Sequence, residues 1–222
     1  MKKICVLFLT LALLLSLTAA FAEEGEKTVY VTISDGELEL VSYAVTLSDI
    51  DDDEKLTIND ALYLAHEAAF EGGAEAGYGS ADTEWGLSLS KLWGIENGGS
   101  YGYYVNNVGA FSLTDELNDG DVLTAFVYTD LFTWSDAYTY FDKYEVEEGE
   151  VTLTLYMIGW DENWMPVEVP VAGATIVIDG EATEYVTGED GTVTFTLPAG
   201  AEFISAQSDA FVLVPPVCVV VK

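Results

Sequence analysis

Apolar and polar positions alternate with period two along most of this chain, and a helical period appears in one stretch only. From Thr28 the run VYVTISDGELELVSYAVTL reads as two strands around a turn at Ser34-Asp35-Gly36, with Val29, Val31 and Ile33 on one face of the first. In the following DIDDDEKLTINDALYLAHEAAFEGG, the residues Leu62, Leu64, Ala65 and Ala69 make an apolar side and Gly72-Gly73 end it, which predicts a short amphipathic helix from Asp60 to Phe70. The small, polar stretch from Ala74 to Thr83 reads as a loop. WGLSLSKLWGI, GYYVNN and VLTAFVYTD read as strands, separated by turn chemistry at Asn97-Gly98-Gly99, Asn106-Asn107 and Asn118-Asp119-Gly120.

Beyond Glu150 every periodic segment is strand-like: VTLTLYMI, ATIVIDG, TVTFTLPAG, EFISAQ and FVLV. Val193, Phe195 and Leu197 alternate with threonines as a half-buried strand requires. The pattern predicts an α+β fold in two domains. Residues 23–130 form a sheet with one helix packed on a face, and residues 151–222 form an all-β sandwich. Between them, residues 131–150 carry Phe132, Trp134, Tyr138, Tyr140, Phe141 and Tyr144, an aromatic density unusual for a linker. Rings in such a place need cover, and a crevice between the domains supplies it and is also a common ligand site.

Composition adds a compartment and removes partners. Lys2 and Lys3, an apolar run from Ile4 to Leu17 and the small-residue ending Ala20-Phe21-Ala22 read as a cleaved secretory signal over residues 1–22, too short in its apolar run for a membrane span. The protein is therefore expected outside the cell, and no apolar tail or sorting motif tethers it. The chain has 39 acids against seven lysines and no arginine, a formal charge of −32. Nucleic acid and anionic membrane surfaces are poor partners for such a surface, and cations are good ones. Cys218 alone follows the signal, so stability rests on ordinary cores without an internal disulfide.

The residues LTINDAL (Leu56 to Leu62), LWG, YGYYVNN (Tyr101 to Asn107) and LNDGDVLTAFVYTD (Leu117 to Asp130), in that order, resemble the transcobalamin-like C-terminal domain, a family of unknown function in secreted proteins of Gram-positive bacteria. The resemblance implies a β-grasp-like first domain, and corrinoid (cobalamin) capture as a precedent, because in transcobalamins this domain caps one face of the vitamin. The helical barrel that supplies the other face there has no counterpart here. PVAGATIVIDG followed by VTGEDGTVTFTLPAG resembles the transthyretin-like or carboxypeptidase regulatory-like sandwiches that serve as accessory modules. Related pilin modules carry a Lys to Asn cross-link, and FVLVPPVCVVVK has no asparagine to accept one.

Two groups of residues carry candidate chemistry. Asp49, Asp51, Asp53, the Lys55 carbonyl, Thr57 and Asp60 fall at positions 1, 3, 5, 7, 9 and 12 of an EF-hand-style calcium loop, with Glu54 where the sharp turn wants glycine. The same residues also read as a helix start, with Thr57 as N-cap and Asp60 at N3 in a capping box. The aromatic set Trp85, Trp93, Tyr101, Tyr103, Tyr104 and Trp134, with Asn106, is the candidate ligand face. On a strand Tyr101, Tyr103 and Val105 share one side and Tyr104 the other, so part of this set belongs to a core.

Catalysis lacks parts. The chain has a single histidine, His66, which leaves no His-based triad or multi-imidazole zinc site. No two carboxylates are marked as an acid-base pair. The sequence thus points to a secreted, non-catalytic protein that captures a small molecule, with a corrinoid as the class the resemblance implies. The alternative is a calcium-stabilised structural or adhesion protein whose aromatic residues serve only to dock its two domains; a protein at the cell exterior is the other partner expected.

Overall fold

The computed structural model describes residues 26–221, and the leader read at residues 1–22 lies outside them. Among the described residues the chain is mostly strand, with two helices and several mixed sheets. No described helix is long and apolar enough to cross a membrane.

Strands β1 (Thr28–Ser34) and β2 (Leu38–Thr46) form the expected antiparallel hairpin. Its register slips opposite Thr32, where Ser42 takes a positive φ of 41° and donates its N–H to Thr32 Oγ1 at 3.1 Å. This is a β-bulge, which bends a strand and re-aims its side chains. Helix α1 (Ile58–Ala69) follows, then the one-turn α2 (Gly73–Gly77). The hairpin of β3 (Gly79–Thr83) and β4 (Gly86–Lys91) stands apart as a two-stranded sheet. β5 (Tyr101–Val105), β6 (Val108–Gly109) and β7 (Val122–Val127) complete the first half. The main sheet has the order β2-β1-β7-β5-β6, with β1 and β7 parallel at its centre. Val29, Val31, Ile33, Leu123 and Ala125 on its inner face and Ile58, Leu62 and Ala65 of α1 share one core. Burying a large aliphatic side chain contributes about 1.5–3 kcal/mol, so this face holds the helix on the sheet.

The helix begins two residues earlier than its apolar period predicts, because its cap sits at Thr57. The Asp60 N–H reaches Thr57 Oγ1 at 3.4 Å, and the Thr57 N–H donates to Asp60 Oδ2 at 2.7 Å, a reciprocal capping box. Residues 74–83, expected as a loop, contain most of α2 and all of β3. β3 is almost wholly exposed and pairs only with β4, so its side chains lack a one-sided apolar pattern.

The second half begins inside the segment expected as a linker. β8 (Ala137–Phe141) pairs with β10 (Glu150–Trp160), and β9 (Glu145–Glu147) pairs with the last strand, β17 (Cys218–Val221). Residues 137–147 are therefore largely strand, because they find free edges and because Phe141 belongs to the second core. β11 (Pro166–Pro170), β12 (Thr175–Ile178), β13 (Glu181–Val186), β14 (Thr192–Thr196), β15 (Phe203–Gln207) and β16 (Leu213–Val214) fill out two sheets. One runs β11-β10-β8-β16, with β14 beside β10, and the other β13-β12-β15-β17-β9. Leu153, Leu155 and Phe195 of the first and Ile176, Ile204 and Cys218 of the second meet in a common core. Burial pushes the Cys218 thiol up to about 12, which keeps it protonated and inert.

A third, small cluster joins the halves: Phe126 of β7, Tyr138 of β8 and Val214 of β16, flanked by Tyr104, Tyr128, Tyr140 and Ile158. Gly102 fits here because a Cβ at that position would lie 2.2 Å from the Phe126 ring.

Candidate functional site

The residues of the expected aromatic face go to separate places. Trp93, in the turn after β4, packs edge-on against Phe70 with ring centroids 5.1 Å apart. Its backbone N–H donates to His66 Nε2 at 3.0 Å. Tyr101 and Tyr103 pack on the first core from the inner face of β5. The Tyr101 hydroxyl lies 2.8 Å from the Ile95 carbonyl and 2.9 Å from the Ser90 carbonyl, which fastens the turn before β5. Tyr104, on the opposite face, stacks on Tyr138 at 3.6 Å and 1°. Nothing fits between rings that close, so Tyr104 is spent on joining the halves. Burial pushes its hydroxyl up to about 12.

Asn106 is a turn residue. Asn106 and Asn107 have φ of 49° and 65°, and Val105 pairs with Val108 across them, a two-residue hairpin turn of the kind that suits strand twist. The Asn106 side chain accepts the Val122 N–H at 2.9 Å and donates to Asp121 Oδ1 at 2.8 Å, locking the hairpin to β7. Asn107 accepts from the Tyr138 hydroxyl at 2.9 Å, so the same turn also binds the second half. Trp85 lies exposed at the tip of the β3–β4 hairpin, and Trp134 lies exposed in the loop before β8. The structure thus does not gather these residues into one ligand face.

The aromatic crevice is nearly filled by its own rings. What remains beside Tyr138, Tyr140 and Tyr144 is a cavity of about 30 Å³, room for roughly one water. A larger opening lies elsewhere along the junction. The β1–β2 turn with the bulged start of β2 faces β12, β15 and the approach to β16 across a groove of about 740 Å³. Leu38, Val41, Val177, Phe203, Phe211 and Pro215 give it apolar walls. Ser205, Gln207 and Ser208 supply hydroxyl and amide groups, and Glu37 is the one ionisable side chain in the lining. No periodicity marks these residues, since the walls come from stretches more than 130 positions apart.

The acidic loop before α1 is held by its own backbone. Asp49 accepts N–H groups from Glu54 at 2.8 Å, Asp53 at 3.2 Å and Asp51 at 3.3 Å. These bonds, that from Glu54 foremost, hold its carboxyl below the usual range. One carboxylate oxygen each from Asp49, Asp51 and Asp53 falls within 4.8 Å of the others. Burial, then the charges of Asp53 and Asp60, push the Asp51 carboxyl up. Thr57 and Asp60 of the expected calcium loop are engaged with each other: Asp60 is fully buried and accepts from Thr57 and from the Ile50 N–H at 2.9 Å. The ammonium of Lys55, whose carbonyl is the expected ligand, pairs with Glu116 at 3.7 Å.

The chain matches no protein-family model, no curated protein and no solved structure.

Proposed function

We propose that this is an exported, non-catalytic binding protein that captures a small, largely uncharged molecule in the groove between its two halves. The observation that carries the reading is the groove itself. Its volume of about 740 Å³ falls in the range of small-molecule sites, which run from roughly 300 to 1,000 Å³ and combine apolar walls with a few polar groups. One ionisable side chain in the lining suits retention better than proton transfer.

The first half reads as a β-grasp-like domain, supported by a helix packed on a mixed sheet with its first and last long strands parallel at the centre. The second reads as a transthyretin-like sandwich, supported by two facing sheets around one core. A corrinoid is the ligand class that the resemblance of the first half implies. Such a molecule exceeds the groove, so the walls would grip one edge of it. Calorimetric titration with a corrinoid tests this, with Leu38→Trp as the blocked control.

A calcium-stabilised structural or adhesive role is the second reading, favoured by the convergence of Asp49, Asp51 and Asp53. It predicts a melting temperature that depends on calcium, with no dependence on the groove.

A further inference from the structure

A surface separate from the groove collects six of the large apolar side chains that the fold leaves uncovered. β8 and β10 are antiparallel neighbours, so the loop entering β8 lies at the same end of the sheet as the tip of the β10–β11 hairpin. The loop carries Leu131, Phe132 and Trp134, exposed by 48, 100 and 64 %, and the hairpin tip carries Trp160, Trp164 and Met165, exposed by 62, 80 and 59 %. Monomeric proteins seldom leave a large contiguous apolar patch uncovered unless something binds there.

The two loops are built alike. Asp130 accepts the N–H groups of Phe132 at 3.0 Å and Thr133 at 3.1 Å, and Asp161 accepts those of Asn163 and Met165, each at 2.8 Å. Each aspartate thus holds a turn in which a tryptophan takes a positive φ, 50° at Trp134 and 60° at Trp164, a region bulky residues rarely adopt. Both indoles project from loops fixed in advance. Hydrogen bonds from the Thr133 and Ser135 hydroxyls keep Asp130 ionised, backbone bonds led by Met165 do the same for Asp161, and Glu162 adds an exposed acid between the aromatic residues.

The charge around these rings decides what would cover them. Among the described lysines, Lys27 and Lys143 donate to the carbonyls of Leu117 and Thr152, while Lys55 and Lys91 pair with Glu116 and Glu96. None of them serves this end of the sheet. Indole faces set among carboxylates attract cations through the ring quadrupole and through charge. A second copy of a chain with net charge −32 would be repelled. We propose that this aromatic end is a docking surface for a cationic, partly apolar segment of a protein partner, with Trp134 and Trp164 stacking on its lysine or arginine side chains.

The test uses fluorescence anisotropy of a short labelled peptide of leucine and lysine, against the same peptide with glutamate in place of lysine. The lysine peptide should bind saturably, more weakly as salt rises, and the glutamate peptide should not. The double variant Trp134→Ser, Trp164→Ser should weaken binding by about tenfold or more, as loss of aromatic anchors does. Phe132→Ser, at a fully exposed site that folding does not need, should weaken it separately, and Glu162→Gln should flatten the salt dependence. Unchanged affinity in folded tryptophan variants, or equal binding of the glutamate peptide, overturns the proposal. So does preference for phosphatidylcholine vesicles or a neutral polysaccharide without peptide binding, or self-association in sedimentation that the same variants abolish.

Discussion

His66 is the chain's only imidazole, and the fold holds it in one protonation state. It is fully buried in α1, with Nδ1 2.6 Å from the Leu62 carbonyl and Nε2 accepting the Trp93 N–H at 3.0 Å. The neutral ring with its proton on Nδ1 satisfies both partners, whereas a proton added at Nε2 would oppose the Trp93 N–H. Burial holds its pKa below the ordinary 6.5, against a smaller opposing effect of the Leu62 hydrogen bond. The sign follows from linkage. The unfolded chain takes up a proton near pH 6.5 and the folded chain does not, so stability present above that pH is lost progressively as pH falls toward the folded-state value. The ceiling is about 1.4 kcal/mol per pH unit, so at most about 1 kcal/mol disappears between pH 6.5 and pH 5.5. Urea unfolding of the wild type and His66→Gln at pH 7.5, 6.5 and 5.5, at constant ionic strength, checks this. Taking the difference between the two proteins cancels the carboxylates common to both. The wild-type advantage should shrink as pH falls, by no more than about 1 kcal/mol between pH 6.5 and pH 5.5. Parallel stability curves would refute a buried, neutral His66.

The remaining predictions concern the cap, the junction and the acidic loop. Asp60→Ala leaves the N–H groups of Ile50 and Thr57 without their buried acceptor and should cost about 2–5 kcal/mol in chemical unfolding; a cost below about 0.5 kcal/mol would contradict the capping role. Gly102→Ala places a methyl 2.2 Å from the buried Phe126 ring and should destabilise by about 1–3 kcal/mol; the gain that alanine brings at an unhindered site would show that the ring is free to move. A double-mutant cycle on Tyr104→Ala and Tyr138→Ala should give a coupling of about 0.5–1.5 kcal/mol, with none if the halves do not dock through this stack. If Asp49, Asp51 and Asp53 hold calcium, millimolar calcium at a Kd near a tenth of that should add about 1.4 kcal/mol that Asp51→Ala removes, and an unchanged melt in EDTA leaves the loop as a helix cap alone.

Local features were legible in the sequence where local physics determines them. The β1–β2 turn, the Asn106-Asn107 hairpin and the cap at Thr57 depend on residues within a few positions of one another, and the spacing marks each of them. The alternation of Tyr101, Tyr103 and Val105 against Tyr104 correctly separates the core face of β5 from the face toward the second half. β3, β8 and β9 were hidden because partner edges decide them: β9 is a strand only where Cys218 to Val221 runs alongside it. β13 was hidden differently, since an edge strand rich in glutamate shows little burial contrast. The groove was not legible at all, because its walls meet only after the halves dock through Tyr138 of the expected linker and Tyr104, which the sequence offered as a ligand contact.

The most direct test of the binding role is calorimetric titration of the processed protein with cyanocobalamin and with dicyanocobinamide, alongside the Leu38→Trp variant. The groove reading predicts saturable binding to the wild type and at least about tenfold weaker binding once the added indole fills the space between Leu38 and β15. Absence of saturable heat with both corrinoids, or binding that the variant leaves unchanged, would contradict corrinoid capture in this groove.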